Sequence, residues 1–262
     1  MNRVETCGSR PPALTRIENI PLVIDRQLHF LVVLFAGERQ RMMRAIVLAT
    51  QKGGSGKSTL AIGLAVAAMG DGHRVAIIET DQQGTVANWG RRRTLPEPRI
   101  ERAASSLEIE RSLLALRHNG FTLAVIDTPA TANDLSASAI GAADICLIPA
   151  RPSPADIEAA LPTLCTARKL GKPFALVLNQ APARSYRIGE AAVALNAAGA
   201  LALPYIVQRN DHQDALGAGF GVTEFAPYGK AAAELYGLWR WAWQAMTVER
   251  IDHGRLPIRA AG

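Results

Sequence analysis

Between Arg44 and Met69 an apolar run, RAIVLA, gives way to TQKGGSGK and then to STLAIGLAVAAM. The first run suits a strand buried on both faces, and the last suits a helix that is apolar on every side. The glycines between them therefore cross from a strand end to a helix N-terminus, where backbone N–H groups converge on an anion. Gly53, Gly54, Ser55 and Gly56 form this cradle, Lys57 is placed for the terminal phosphates of a nucleotide, and Ser58 offers a hydroxyl to Mg²⁺. The spacing departs from G-x-x-x-x-G-K-[ST]: Gln51 stands where the first glycine would be, and a second lysine, Lys52, precedes the glycines.

From Arg44 onward, short apolar runs alternate with helical stretches. Strands are expected over Ala45–Ala49, Val75–Glu79, Arg99–Arg102, Leu123–Ile126, Ile145–Ile148, Phe174–Leu178 and Ala200–Val207. Helices are expected over Ser58–Met69, Thr85–Arg92, Leu107–His118, Asp134–Ile140, Pro154–Leu170, Arg187–Ala198 and Gly229–Met246. Such alternation predicts an α/β fold: a mostly parallel, twisted sheet with helices on both faces, as in P-loop nucleotide-binding proteins. Ligands of these sheets sit at the C-terminal ends of the strands.

Composition narrows the class. With 262 residues, 48% of them hydrophobic, the chain can form one large core, and residues 42–262 are expected to be a single domain. Three scattered cysteines, Cys7, Cys146 and Cys165, argue against a disulfide framework or a locally spaced metal cluster and suit a reducing cytoplasm. The net charge is +6, and residues 44–262 hold 23 basic against 19 acidic side chains, which permits nucleic acid binding without requiring it. Residues 1–41 read as an N-terminal extension preceding a start at Met42 or Met43. Their apolar run from Leu28 to Phe35 falls well short of the ~20 residues that span a membrane.

Two acids follow strands. In VAIIETDQQG, Asp81 lies just beyond the strand ending at Glu79, where a carboxylate can orient a water toward a γ-phosphate. In FTLAVIDTPA, Asp127 closes an apolar strand, and a carboxylate there reaches Mg²⁺ directly or through water. Either acid alone is equally well explained as a turn or helix-cap residue; both, after a phosphate loop in one sheet, point to a site. Asn179 ends PFALVLNQ, and its amide can pair with an adenine edge or simply occupy a turn.

KGGSGKST, ETDQQGTVANW, VIDTPA, IPARPSPADIEAAL, VLNQ and GVTEFAPYGKAAAEL resemble, in this order, the ParA/MinD group of deviant Walker ATPases. The chain looks most like the short ParA partition proteins that lack an N-terminal DNA-binding domain, over about Arg44 to Met246. The resemblance implies an ATPase that dimerises on binding ATP and Mg²⁺. It implies that Lys52 reaches the phosphates held by the other subunit while Lys57 serves its own. It further implies that Ser58 coordinates Mg²⁺, Thr59 contacts phosphate, Asp81 positions the attacking water, and Asp127 holds the metal through its hydration shell. Gln82 stands where the family usually has proline and Glu79 where aspartate is common, two departures around Asp81.

By the same resemblance, the expected role is plasmid or chromosome partition by a cytoplasmic, nucleoid-associated homodimer. It would bind DNA without sequence preference and be stimulated by a ParB-like or other small centromere-binding activator. Candidate phosphate contacts are Arg91, Arg92, Arg93, Arg209, Lys230, Arg240 and Arg250. The rival is a MinD-like or cargo-positioning relative acting on membrane or protein. AAAELYGLWRWAWQAM bears on it: Leu235, Leu238, Ala242 and Met246 form one stripe, which Trp239, Trp241 and Trp243 widen to an arc of roughly 200°. A terminal helix wedged against the core explains that arc better than membrane insertion, because the following TVERIDHGRLPIRAAG makes a poor basic anchor.

Overall fold

The computed structural model describes residues 43–131, 133–183, 187–199 and 201–247. The expectations for residues 1–41 and for Arg250 lie outside them. Seven strands form one sheet: β1 (Arg44–Leu48), β2 (Val75–Glu79), β3 (Arg99–Arg102), β4 (Leu123–Asp127), β5 (Ile145–Ala150), β6 (Phe174–Leu178) and β7 (Leu201–Ala202). Their order is β3-β2-β4-β1-β5-β6-β7, and every neighbouring pair is parallel. The sheet is thus parallel throughout the described residues.

Nine helices are described: α1 (Lys57–Gly70), α2 (Thr85–Arg92), α3 (Ser106–His118), α4 (Asp134–Ala142), α5 (Pro154–Lys169), α6 (Arg187–Ala198), α7 (Asn210–Gly217), α8 (Val222–Phe225) and α9 (Lys230–Thr247). Alternate strand residues feed two cores. Ile46, Leu48, Ile77, Val125 and Leu147 pack with α1 and α9 on one face, and Val47, Ile78, Ile126, Ile148 and Leu178 pack with α3–α6 on the other. With both faces covered, the strands can be apolar without interruption, which is why they stand out in the sequence.

Local chemistry sets several helix starts. The Ser105 hydroxyl accepts from the Glu108 N–H and the Glu108 carboxylate from that of Ala104, a reciprocal cap on α3. Asn133 caps α4 through the Ser136 N–H at 2.8 Å, and Ser153 caps α5 with Pro154 just inside.

Two stretches differ from expectation. The run expected as a strand over 200–207 pairs with β6 only at Leu201–Ala202 and returns as a single bridge between Ala181 and Val207. Pro204, which has no N–H to donate, lies between them. The sequence reading also leaves out α7 and α8. α7 (NDHQDALG) buries only Ala215, so it has no apolar period to detect.

The topology places the site. From the central β1 the chain goes to one side for β2, β3 and β4, then crosses to the other for β5, β6 and β7. The connections leaving β1, β4 and β5 therefore meet where the strand order reverses, the crevice in which open parallel sheets hold ligands.

Candidate phosphate-binding site

Gly56 precedes α1 with φ +91°, a left-handed conformation, and a Cβ there would lie 2.3 Å from the Asn179 amide nitrogen. Both backbone angle and space thus require glycine. No side chain caps α1, so the N–H groups of its first turn remain available to an anion.

Lys57 opens α1 and is buried, with Nζ donating to the Lys52 carbonyl at 3.3 Å. Burial pulls its pKa down, while the charges of Asp127 and then Asp81 hold it up. Asp127, at the end of β4, is fully buried, and among the described residues neither carboxylate oxygen has a hydrogen bond of good geometry, the nearby Ser58 hydroxyl being the closest approach to one. Burial pushes its carboxyl up to about 7, against the Ser58 hydroxyl and the Lys57 ammonium, which pull it down. Two buried, unpartnered carboxylate oxygens beside the loop hydroxyl are a donor set suited to a hard divalent cation.

Asp81 lies half-buried after β2, and its Oδ1 accepts from the Gln83 N–H at 3.0 Å. It is thus a turn residue, and its charge acts on Lys57. Glu79, the departure two residues before, is buried, and its carboxylate accepts from the Val86 N–H at 2.7 Å and the Ala87 N–H at 3.3 Å. The longer side chain reaches from β2 to the N-terminus of α2 and closes the loop that carries Asp81. Thr80 donates through its N–H and its hydroxyl to the Asp127 carbonyl, both at 2.9 Å, and the Thr128 hydroxyl donates to the Leu48 carbonyl at 2.8 Å. The ends of β1, β2 and β4 are thereby laced together.

Asn179 is buried, and its amide nitrogen donates to the Ser55 carbonyl at 2.7 Å. In this structure that donor is engaged by the loop. Gln180 and Arg151 both donate to the neighbouring Gly54 carbonyl, at 3.1 and 2.5 Å. Sequence reasoning assigned neither residue a role, and the available signal was position: each lies just beyond the end of a strand flanking the loop, β6 or β5. On the side of α4 and α5, the loop borders a groove of about 210 Å³ lined by Thr50, Gln51, Thr128, Asn133 and Thr163.

The basic candidates divide. Lys52 is half-exposed beside the loop, and Lys230 and Arg240 are exposed on α9. Arg91 and Arg92 are exposed at the end of α2, donating to Asn88 and to the Leu216 carbonyl. Arg209 is engaged: it pairs with Glu234 at 2.5 Å, and Glu234 also accepts from the Val207 N–H, which ties the start of α7 to α9. Arg93 is engaged too. Its side chain is 2% exposed, donates twice to Glu224 and stacks over the Trp89 ring. An acid placed far along the chain took each guanidinium.

A family profile described as VirC1 protein matches residues 43–194. The chain is 30% identical to protein virC1 of Rhizobium radiobacter over 152 residues, covering 53% of this chain and 65% of that protein. It is 32% identical over 128 residues to the maintenance of carboxysome distribution protein A of Gloeobacter kilaueensis, covering 46% and 55%. It is 31% identical over 148 residues to the chromosome partitioning protein ParA of Caulobacter vibrioides, covering 41% and 55%. The chain thus matches less than two thirds of the length of each relative. Among solved structures, the cell division ATPase MinD of Pyrococcus furiosus aligns with a TM-score of 0.64 at 19% identity, covering 78% of this chain and 99% of that one. The septum site-determining protein MinD of Pyrococcus horikoshii, complexed with Mg-ADP, aligns with a TM-score of 0.62 at 16% identity, covering 80% and 100%. At such identities the structural likeness establishes the fold.

Proposed function

Starting from a chain that belongs to the VirC1 family, within the ParA/MinD-type ATPases, we propose that it hydrolyses ATP with Mg²⁺ and dimerises on binding it. The observation that carries this reading is the fully buried, unpartnered carboxylate of Asp127 beside Lys57 at the foot of the glycine loop. Ser58 and Asp127 would hold the metal, whose charge offsets that of the phosphates. Lys57 and the N–H groups of the loop and of α1 bind the phosphates, with Thr59 beside them in the first turn. Asp81 orients the attacking water from a turn held in place by Glu79. Lys52, half-exposed at the loop's outer edge, meets the phosphates of a second copy, which couples nucleotide occupancy to dimerisation.

For the biological role we propose partition: the ATP-bound dimer binds DNA without sequence preference, and a ParB-like activator stimulates hydrolysis and releases it. The 31% identity to a chromosome partitioning protein supports this reading, as do the exposed Lys230 and Arg240. The 32% identity to a carboxysome distribution protein favours a second reading, positioning of a protein cargo. No helix among the described residues is long and apolar enough to cross a membrane.

Phosphate release with Mg²⁺, with EDTA, and from Lys57→Ala tests the enzymatic reading. Turnover that needs both the metal and Lys57 is the expected result; turnover indifferent to both overturns it.

A further inference from the structure

Three side chains from two strand ends hold the outer rim of the glycine loop. Arg151 follows β5 and donates through Nη2 to the Gly54 carbonyl, Gln180 follows β6 and donates to the same carbonyl, and Asn179 donates to the Ser55 carbonyl. In a planar trans peptide the C=O and the following N–H point in opposite directions. Pinning the carbonyls of Gly54 and Ser55 toward β5 and β6 therefore turns the N–H groups of Ser55 and Gly56 away from those strand ends. A glycine loop left to itself samples many orientations of these peptides, and fixing them in advance removes an entropic cost from anion binding.

Arg151 is unusual within the set because it is charged. None of the ion pairs among the described residues includes it, and its Nε is buried without a hydrogen-bond partner. A half-buried guanidinium that, among the described residues, is held by a carbonyl is short of negative charge, and the loop it holds is the one that would receive an anion. It approaches that loop so closely that a Cβ on Gly54 would lie 3.2 Å from its Nη2.

We propose that Arg151 is a positioning residue of the phosphate loop, which with Asn179 and Gln180 sets the peptide orientation needed for nucleotide binding and brings a third cation beside Lys52 and Lys57. The inference rests on the ATPase reading and deepens it, acting through the loop from the far side of the site. In the full-length protein, a fluorescent ADP analogue with Mg²⁺ would be titrated against wild type, Arg151→Ala, Arg151→Lys and Asn179→Ala, alongside the thermal midpoint of each without nucleotide. Loss of a charge-assisted hydrogen bond predicts roughly tenfold weaker binding for Arg151→Ala. Arg151→Lys, which keeps a donor and the charge, should recover most of it, and Asn179→Ala should weaken binding in the same direction. The nucleotide-free midpoints of the two Arg151 variants should stay close to wild type.

Arg151→Ala binding as tightly as wild type would overturn the inference while leaving the ATPase reading intact. An affinity loss matched by an equal collapse of the nucleotide-free midpoint, with no recovery in Arg151→Lys, would also overturn it, since the residue would then be structural. Wild type failing to bind the analogue would instead overturn the ATPase reading itself.

Discussion

Lys52 and Lys57 lie five residues apart, yet burial separates their surroundings. Lys57 is enclosed, faces Asp127 and Asp81, and is tied by Nζ to the loop backbone, whereas Lys52 contributes its carbonyl inward and stays half-exposed. Lys52→Ala should therefore leave monomer affinity for ATP nearly unchanged and abolish the dimer formed with a slowly hydrolysed analogue, measured by light scattering. An undiminished dimer would sink the trans role. Asp81 separates from Asp127 in the same way. It is half-buried in a turn that Glu79 closes independently, so Asp81→Ala should reduce turnover by about tenfold or more with little change in nucleotide affinity. Affinity and turnover falling together would make Asp81 a structural residue.

At the scale of elements, α9 explains the tryptophan-rich stripe. Leu235, Leu238, Trp239, Ala242 and Met246 are buried against α1 and the sheet, and Trp241 and Trp243 pack at the edge of that core. A Cβ on Gly63 of α1 would lie 2.3 Å from a Leu235 methyl, so the two helices meet at a glycine. Leu235→Ala should cost about 2–5 kcal/mol by leaving a cavity, seen in denaturant unfolding, with nucleotide affinity of the folded fraction unchanged. At the other end of this contact, the Trp239 indole N–H donates to Asp71 at 2.7 Å. The His73 ring lies 4.3 Å from that of Trp243, with Nδ1 3.1 Å from the Thr122 hydroxyl.

Burial holds the His73 imidazole below its ordinary value, against the pull of Asp71. Burial does the same to His212, with Arg209 adding to the lowering and Glu234 and Asp211 opposing it. Each native ring resists a proton that the unfolded ring accepts. The stability they lend is present above the unfolded value of 6.5 and is lost as pH falls through the depressed native values. His73→Gln should flatten part of the fall in thermal midpoint below ~pH 6.5. An identical pH profile in the variant would assign that fall elsewhere.

For the whole molecule, the partition reading turns on how many phosphates are engaged at once. With Arg209 and Arg93 paired to Glu234 and Glu224, the remaining exposed candidates on one subunit are few, and the proposed dimer would double them. Duplexes of unrelated sequence should bind with similar affinity in the ATP state and more weakly with ADP or no nucleotide. Lys230→Ala combined with Arg240→Ala should lower both the affinity and the steepness of its salt dependence without harming dimerisation. Equal, weak binding in all three nucleotide states across a salt series would remove DNA as the substrate surface and favour protein cargo.

The sequence by itself determined the parallel α/β architecture, the strand–loop–helix at Lys57 and the two acids at strand ends. These are written in short range: apolar runs of strand length, a glycine cluster and an acid at the end of β4 are all local. It did not determine which polar side chains were free. Arg209 and Arg93 look like surface cations until the fold brings up Glu234 and Glu224, and nothing local to Asn179 shows that its amide donates to the Ser55 carbonyl. α7 was invisible because one buried alanine makes no period. Arg151 gained its place only when β5 was laid beside β1, 97 residues from the Gly54 it holds. A pairing between side chains distant in sequence leaves no mark on either local pattern, and whether a charge faces solvent, an acid or a backbone carbonyl is settled by which strand ends the topology gathers into one crevice.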